Sequence, residues 1–139
     1  MNWIEYKKKF EPCKNWIISN QSLSGAIFWD EKGKCDPWDH CECLIALAIY
    51  EEWEHFWKGV NWFFTNLNED GLIYAEFQND NPSKLYYESH HAPYIIMPLI
   101  QAYLINQDQD YKKILTNGQL LKLEKIFKTL YEFKDQDGY

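Results

Sequence analysis

The feature that most constrains this chain is a motif written twice at an offset of 46 residues. Asn15-Trp16-Ile17-Ile18-Ser19-Asn20 is followed after four residues by Gly25-Ala26-Ile27, and Asn61-Trp62-Phe63-Phe64-Thr65-Asn66 is followed after four by Gly71-Leu72-Ile73. Asn, Trp, Asn, Gly and Ile recur in register, with Ser/Thr and aliphatic/aromatic exchanges between them. A period of this length marks one supersecondary unit per copy, and such units bury their apolar faces by stacking on their neighbours. A third, degraded copy spans residues 128–133, followed by Asp135-Gln136-Asp137-Gly138. The chain therefore reads as ending inside a repeat, as a fragment of something longer. Units are expected at about 13–58 and 59–117, with an incomplete 118–139, all within one partial domain.

Within each unit the apolar spacing is helical. Trp53, Phe56, Trp57, Val60, Phe63, Phe64 and Leu67 follow a 3.6-residue period, and Leu120, Leu123, Phe127, Leu130 and Tyr131 do so after the Asn117-Gly118 breaker. Asp36-Pro37-Trp38-Asp39 is a helix start, with Asp36 as cap, Pro37 in the first turn and Asp39 at the positive end of the dipole. That helix directs Cys41, Leu44, Ile45, Ala48 and Ile49 inward. Unbroken helix over residues 37–67 would span about 46 Å, so a turn is expected near 50–52. Pro93 can open a helix, whereas Pro98 should kink one. The segments 28–35 and 74–83 read as loops, and the array as all-α.

The charge balance narrows the function. Fourteen Lys and Arg against 21 Asp and Glu give a net charge of −7, which disfavours a reader of nucleic-acid phosphates. No apolar run approaches the roughly 20 residues of a membrane span, and the N-terminus lacks the pattern of a signal peptide. A cytoplasmic location is expected. Cys13, Cys35, Cys41 and Cys43 lack zinc-knuckle spacing and are expected to be buried free thiols. Trp16, Trp53, Trp57 and Trp62 read as helix-packing residues and His55 as solvated. No metal or cofactor is expected.

The residues 58–66 with Asp70-Gly71 resemble the QW-type repeat of squalene cyclases and their prenyltransferase relatives. Asn66 stands where that family has Gln, and Ile73 or Tyr74 where it has Trp; the first copy keeps Trp29. Residues 24–29, followed by Asp36-Pro37-Trp38-Asp39-His40-Cys41-Glu42, are similar to bacterial prenyltransferase-like α/α-toroid proteins, with Asp39 in place of the usual Asn. The resemblance covers about residues 13–110 and implies α/α hairpins forming part of a truncated toroid. It does not extend to chemistry: the Asp-x-Asp-Asp of squalene-type cyclisation is missing from the sequence, and the zinc set of protein prenyltransferases is not evident.

In such a toroid the inner helices start on one face, so Asp36, Trp38, Asp39, His40 and Glu42 would meet Glu88, His90, His91 and Tyr94. Asp36, His40 and Glu42 are then candidates for acid–base catalysis, and Trp38, Asp39, Glu88, His90, His91 and Tyr94 for substrate binding. Each also has a plainer role. Asp36 caps, Asp39 answers the dipole, His40 pairs with Asp36 one turn away, and His90-His91 closes a loop. Three functions stay open. One is a prenyltransferase- or terpene-cyclase-like protein holding an isoprenoid. Another is a six-hairpin glycosidase-like protein acting on a carbohydrate through its acids. The third is a non-catalytic helical-repeat binding module. The exposed terminal helices of a truncated array would favour self-association.

Overall fold

The structure, a computed structural model, describes residues 2–106 and 115–132. Five helices carry most of it: α1 (Trp3–Ser19), α2 (Pro37–Ile49), α3 (Trp53–Asn66), α4 (Ile96–Ile105) and α5 (Asn117–Glu132). Their ends follow local chemistry. The Asn2 side chain and the Glu5 backbone N–H close a reciprocal capping box on α1 at 3.0 Å. Asp36 Oδ1 accepts the Trp38 N–H at 2.8 Å, with Pro37 at the first helical position. The turn expected near 50–52 is present, and Glu51 takes φ +61° to separate α2 from α3.

The repeat appears as repeated hydrogen bonds. Asn20 Nδ2 donates to the Trp16 carbonyl at 2.9 Å, and 46 residues on Asn66 Nδ2 donates to the Trp62 carbonyl at 2.9 Å. The Gly25 N–H meets the Ser22 carbonyl at 3.2 Å, and the Gly71 N–H meets that of Asn68 at 3.2 Å. Both glycines have positive φ, +115° and +78°. Each also lies against the backbone of a later helix. A Cβ on Gly25 would stand 2.3 Å from the Lys58 carbonyl oxygen, and one on Gly71 would stand 2.8 Å from the Ile126 nitrogen. The glycine turn is thus the seat for the second helix that follows it. Of the third copy, residues 133–139 lie outside the described residues.

The fold is not all-α, so a simple array of toroid hairpins is ruled out. The segments read as loops form a three-stranded antiparallel sheet in the order β1 (Lys34–Cys35), β2 (Tyr74–Gln78), β3 (Asn81–Tyr87). Asn79 and Asp80 both have positive φ, +48° and +65°, which is the mirror-image turn that suits the twist of a two-residue hairpin. Along β2, Ala75 and Phe77 are buried while Glu76 faces outward, so strand periodicity was present but short. Glu76 bonds Lys84 and Lys34 at 2.9 and 3.0 Å, one on each flanking strand, and these bonds hold its carboxyl down at about 2.

The core runs between α2, α3, α4 and the sheet, with Phe56, Phe63, Phe77, Leu44, Leu47 and Ile95 fully buried. α2 packs on α3 and α4, and α5 on the 3₁₀ turn Pro93–Ile95 that leads into α4. Pro98 sits in the first turn of α4, where a missing N–H costs little. Several expectations need correction. Trp16 is 48 % exposed, Ile45 and Ile49 are only half-buried, and Ile126 rather than Phe127 or Leu130 faces inward from α5. His55 is not simply solvated: its Nδ1 lies 2.7 Å from Gln21 Oε1. Cys35 and Cys41 are buried free thiols and Cys43 is half-buried, but Cys13 is exposed. Burial pushes Cys35 and Cys41 well above the usual thiol range and Cys43 up to about 12. Among the described residues no helix is long and apolar enough to cross a membrane.

Candidate functional site

The start of α2 and the turn before α4 come together because these two helices pack side by side. The cap at Asp36 places Trp38 and Glu42 on one face of α2, four residues apart. Opposite them, residues 88–92 form a turn in which the His91 N–H donates to the Glu88 carbonyl at 3.2 Å. Trp38 meets His90 edge-on at 5.2 Å between centroids and Tyr94 at 5.8 Å. Tyr94 Oη donates to Glu42 Oε1 at 3.4 Å, which ties the 3₁₀ turn to the second turn of α2.

Behind this aromatic face lies a polar group. His91 Nε2 is 3.7 Å from Glu88 Oε2 and 3.9 Å from Asp36 Oδ1, and His90 Nε2 is 3.6 Å from the same Glu88 oxygen. His91 is 2 % exposed, whereas Glu88 and His90 stand at the rim. Burial holds the His91 imidazole below its ordinary value, against the pull of Asp36 and Glu88. Burial also raises the carboxyl of Asp39, helped by the negative charges of Asp36 and Glu42 and opposed by Lys34. Asp39 therefore keeps its proton to a higher pH than a free carboxylate would.

Of the nine residues singled out in the sequence, Asp36, Trp38, Glu42, Glu88, His90, His91 and Tyr94 thus meet in one patch, with Asp39 beside them. His40 does not. It points the other way from α2, is 1 % exposed, and packs at 4.6 Å on the Trp62 ring. Its Nε2 lies 3.1 Å from the Gly59 carbonyl oxygen, and its Nδ1 accepts the Ile27 N–H at 3.2 Å. The helical offset of four from Asp36 produces no side-chain pair between them.

Next to His90 and Tyr94 the surface dips into an open apolar depression of about 440 Å³, lined also by Ser89, Pro93, Ile96, Met97 and Leu130. Sequence reasoning missed this feature. Leu130 comes from α5, 36 residues beyond Tyr94, and nothing in its local pattern marks it as a neighbour of the turn.

No family model matches the chain. The chain is 27 % identical, over 99 residues, to the MMP endo-(1,4)-3-O-methyl-alpha-D-mannosidase of Mycolicibacterium hassiacum. The match covers 71 % of this chain and 28 % of that protein, so the chain spans under a third of the relative's length. The name is that of a glycosidase. The resemblance to prenyltransferase-like and terpenoid-cyclase proteins finds no counterpart in these comparisons.

Proposed function

We propose that the patch between α2 and α4 is a carbohydrate-binding face of a glycosidase-like protein, with an α-linked, mannose-type oligosaccharide as its ligand. The observation that carries this reading is the joining of aromatic edges and acids in one exposed patch: Trp38, His90 and Tyr94 beside Asp36, Asp39, Glu42 and Glu88. Sugars present apolar C–H faces that stack on such rings and hydroxyls that donate to carboxylates. An isoprenoid site would keep acids off its walls. Glycosidic cleavage needs one carboxyl that still holds its proton and another that does not. Asp39, whose carboxyl is raised by burial and by its acidic neighbours, is the candidate acid in this reading, with the carboxylates Asp36 and Glu42 beside it. His40 acts as a positioning residue that fixes α2 against α3. The similarity to the mannosidase supports the choice of sugar over isoprenoid.

The test is binding by the whole chain, followed through tryptophan fluorescence. α-(1,4)-linked oligosaccharides of 3-O-methylmannose, or unmethylated α-mannosides, should quench or shift the signal, and glucose oligomers should do so more weakly. Equal indifference to all three sugars, with the protein folded, would remove the carbohydrate reading.

A further inference from the structure

We propose that Glu88, His90 and His91 form a binding site for a divalent transition metal of the zinc class. Their donor atoms lie within 4.8 Å of one another. The two imidazole Nε2 atoms stand 3.6 and 3.7 Å from one carboxylate oxygen, Glu88 Oε2. Those separations exceed hydrogen-bond length. They match the spacing of donors that share a tetrahedral zinc ion, which sit about 3.4 Å apart when each bond is about 2.1 Å.

The second observation is His91 itself. Its ring is almost wholly enclosed, its Nδ1 has no hydrogen-bond partner, and its Nε2 faces Glu88 and Asp36 without bonding either. Enclosing a polar ring that bonds nothing in the chain is unfavourable. A cation bound at Nε2 gives that nitrogen a partner at bonding distance, and the negative charge of Asp36, on the same edge of the ring as Glu88, favours it. Two imidazoles and one carboxylate select zinc over magnesium or calcium, which take oxygen donors. Because Glu88 and His90 lie at the rim, a metal held here would be reached from solvent. The site does not depend on the sugar reading, since it needs no glycan to be seen.

The experiment uses the full chain, stripped with a chelator and titrated with Zn²⁺ by calorimetry. Co²⁺ serves as a visible-absorption probe, and the histidine side-chain nitrogens are followed by NMR. One Zn²⁺ per chain should bind, raise the melting temperature and shift the Nε2 resonances of His90 and His91 but not those of His40. His90→Ala and Glu88→Gln, both at the rim, should each weaken Zn²⁺ by roughly tenfold or more without changing the melting temperature of the metal-free chain. Ca²⁺ should not compete. Failure to take up Zn²⁺ at millimolar concentration would overturn the proposal. So would Zn²⁺ shifts confined to His55, or uptake unchanged in both variants. The NMR readout on the unmodified chain keeps the proposal testable even if a variant misfolds.

Discussion

His40 Nε2 lies 3.1 Å from the carbonyl oxygen of Gly59, which joins the middle of α3 to the first turn of α2. The tautomer follows from the other nitrogen. Nδ1 accepts the Ile27 N–H at 3.2 Å and must be bare, so Nε2 carries the proton and donates to Gly59. Gly59 is part of the fit: a Cβ there would stand 2.5 Å from Leu44 Cδ2 and 3.3 Å from the His40 ring. One imidazole thereby holds α2, α3 and the strand-like stretch after the Gly25 turn in a single arrangement.

Replacing His40 with alanine should therefore unfold more than it inactivates. The change leaves the buried Ile27 N–H without its acceptor, removes the side-chain donor from the Gly59 carbonyl and opens space beside Trp62, at a combined cost of about 3 kcal/mol. For a chain of this size that is a drop in melting temperature of roughly 10 °C. A His40→Ala protein that melts like the parent but fails to bind sugar would instead return His40 to the functional site.

The same ring sets an acid sensitivity. Burial lowers the His40 pKa to about 4, against about 6.5 in the unfolded chain. Between those values the unfolded chain binds a proton that the folded chain does not, so stability must fall as pH falls through that window. The loss amounts to about 3 kcal/mol by pH 4. Denaturation midpoints measured from pH 7 to pH 4 should show the slope, and a His40→Gln protein, less stable throughout, should show a shallower one. Parallel slopes in the two proteins would place the acid sensitivity elsewhere.

Gly71 has both a conformational and a steric reason to be glycine. Its φ of +78° and the 2.8 Å approach to the Ile126 nitrogen mean that Gly71→Val must twist the turn and push α5 away. A cost of about 2–4 kcal/mol is expected. Gly118→Ala is the control, because the nearest atom to a Cβ there is Thr116 Oγ1 at 3.9 Å. Urea midpoints for the two variants should diverge, with Gly118→Ala near the parent. A Gly71→Val protein as stable as the parent would show that the turn can be rebuilt without this seat.

Asp80 links the hairpin to the first repeat. Its Oδ1 accepts from the Trp62 indole at 3.1 Å and from Ser24 Oγ at 2.6 Å, while its backbone holds φ +65°. Asp80→Ala should cost about 2 kcal/mol by leaving a buried indole N–H unpaired and straining the turn. Asp80→Asn, which keeps an acceptor and tolerates the left-handed region, should cost less. Faster hydrogen exchange at the Trp62 indole in Asp80→Ala alone is the expected signature.

The sequence made some of this legible and not the rest, for physical reasons. Helix starts were readable because Asp36-Pro37 is a short-range signal, and the repeat turns because glycine recurs at one offset, at positions that have positive φ. The sheet was obscured. β1 has two residues, too few for alternation, and β3 is exposed along its whole length and contains Pro82, so it carries no apolar pattern. The turn Asn79-Asp80 has the conformation of a hairpin but lacks the glycine that announces one. At the site, α2 does meet residues 88–94, but the toroid from which that meeting was expected is not the observed fold. The direction of His40 was not foreseen, because the face it occupies depends on Trp62 and Gly59 from another helix.

Trp38 gives the sharpest separation of binding from stability. It is 43 % exposed, and its ring touches His90 and Tyr94 by their edges rather than filling the core. Trp38→Ala should therefore change the melting temperature by only a few degrees, whereas loss of a stacking platform should weaken a mannoside roughly tenfold or more. Asp39→Asn removes the proposed proton donor but keeps the shape and polarity of the side chain. It should leave affinity within about twofold while abolishing any hydrolysis, since the amide cannot deliver a proton to the glycosidic oxygen. Melting curves, fluorescence titration and product analysis on the same three proteins check both statements. Should Trp38→Ala bind sugar as well as the parent does, the ligand does not rest on this face. Hydrolysis that survives Asp39→Asn would assign proton donation to Asp36 or Glu42 instead.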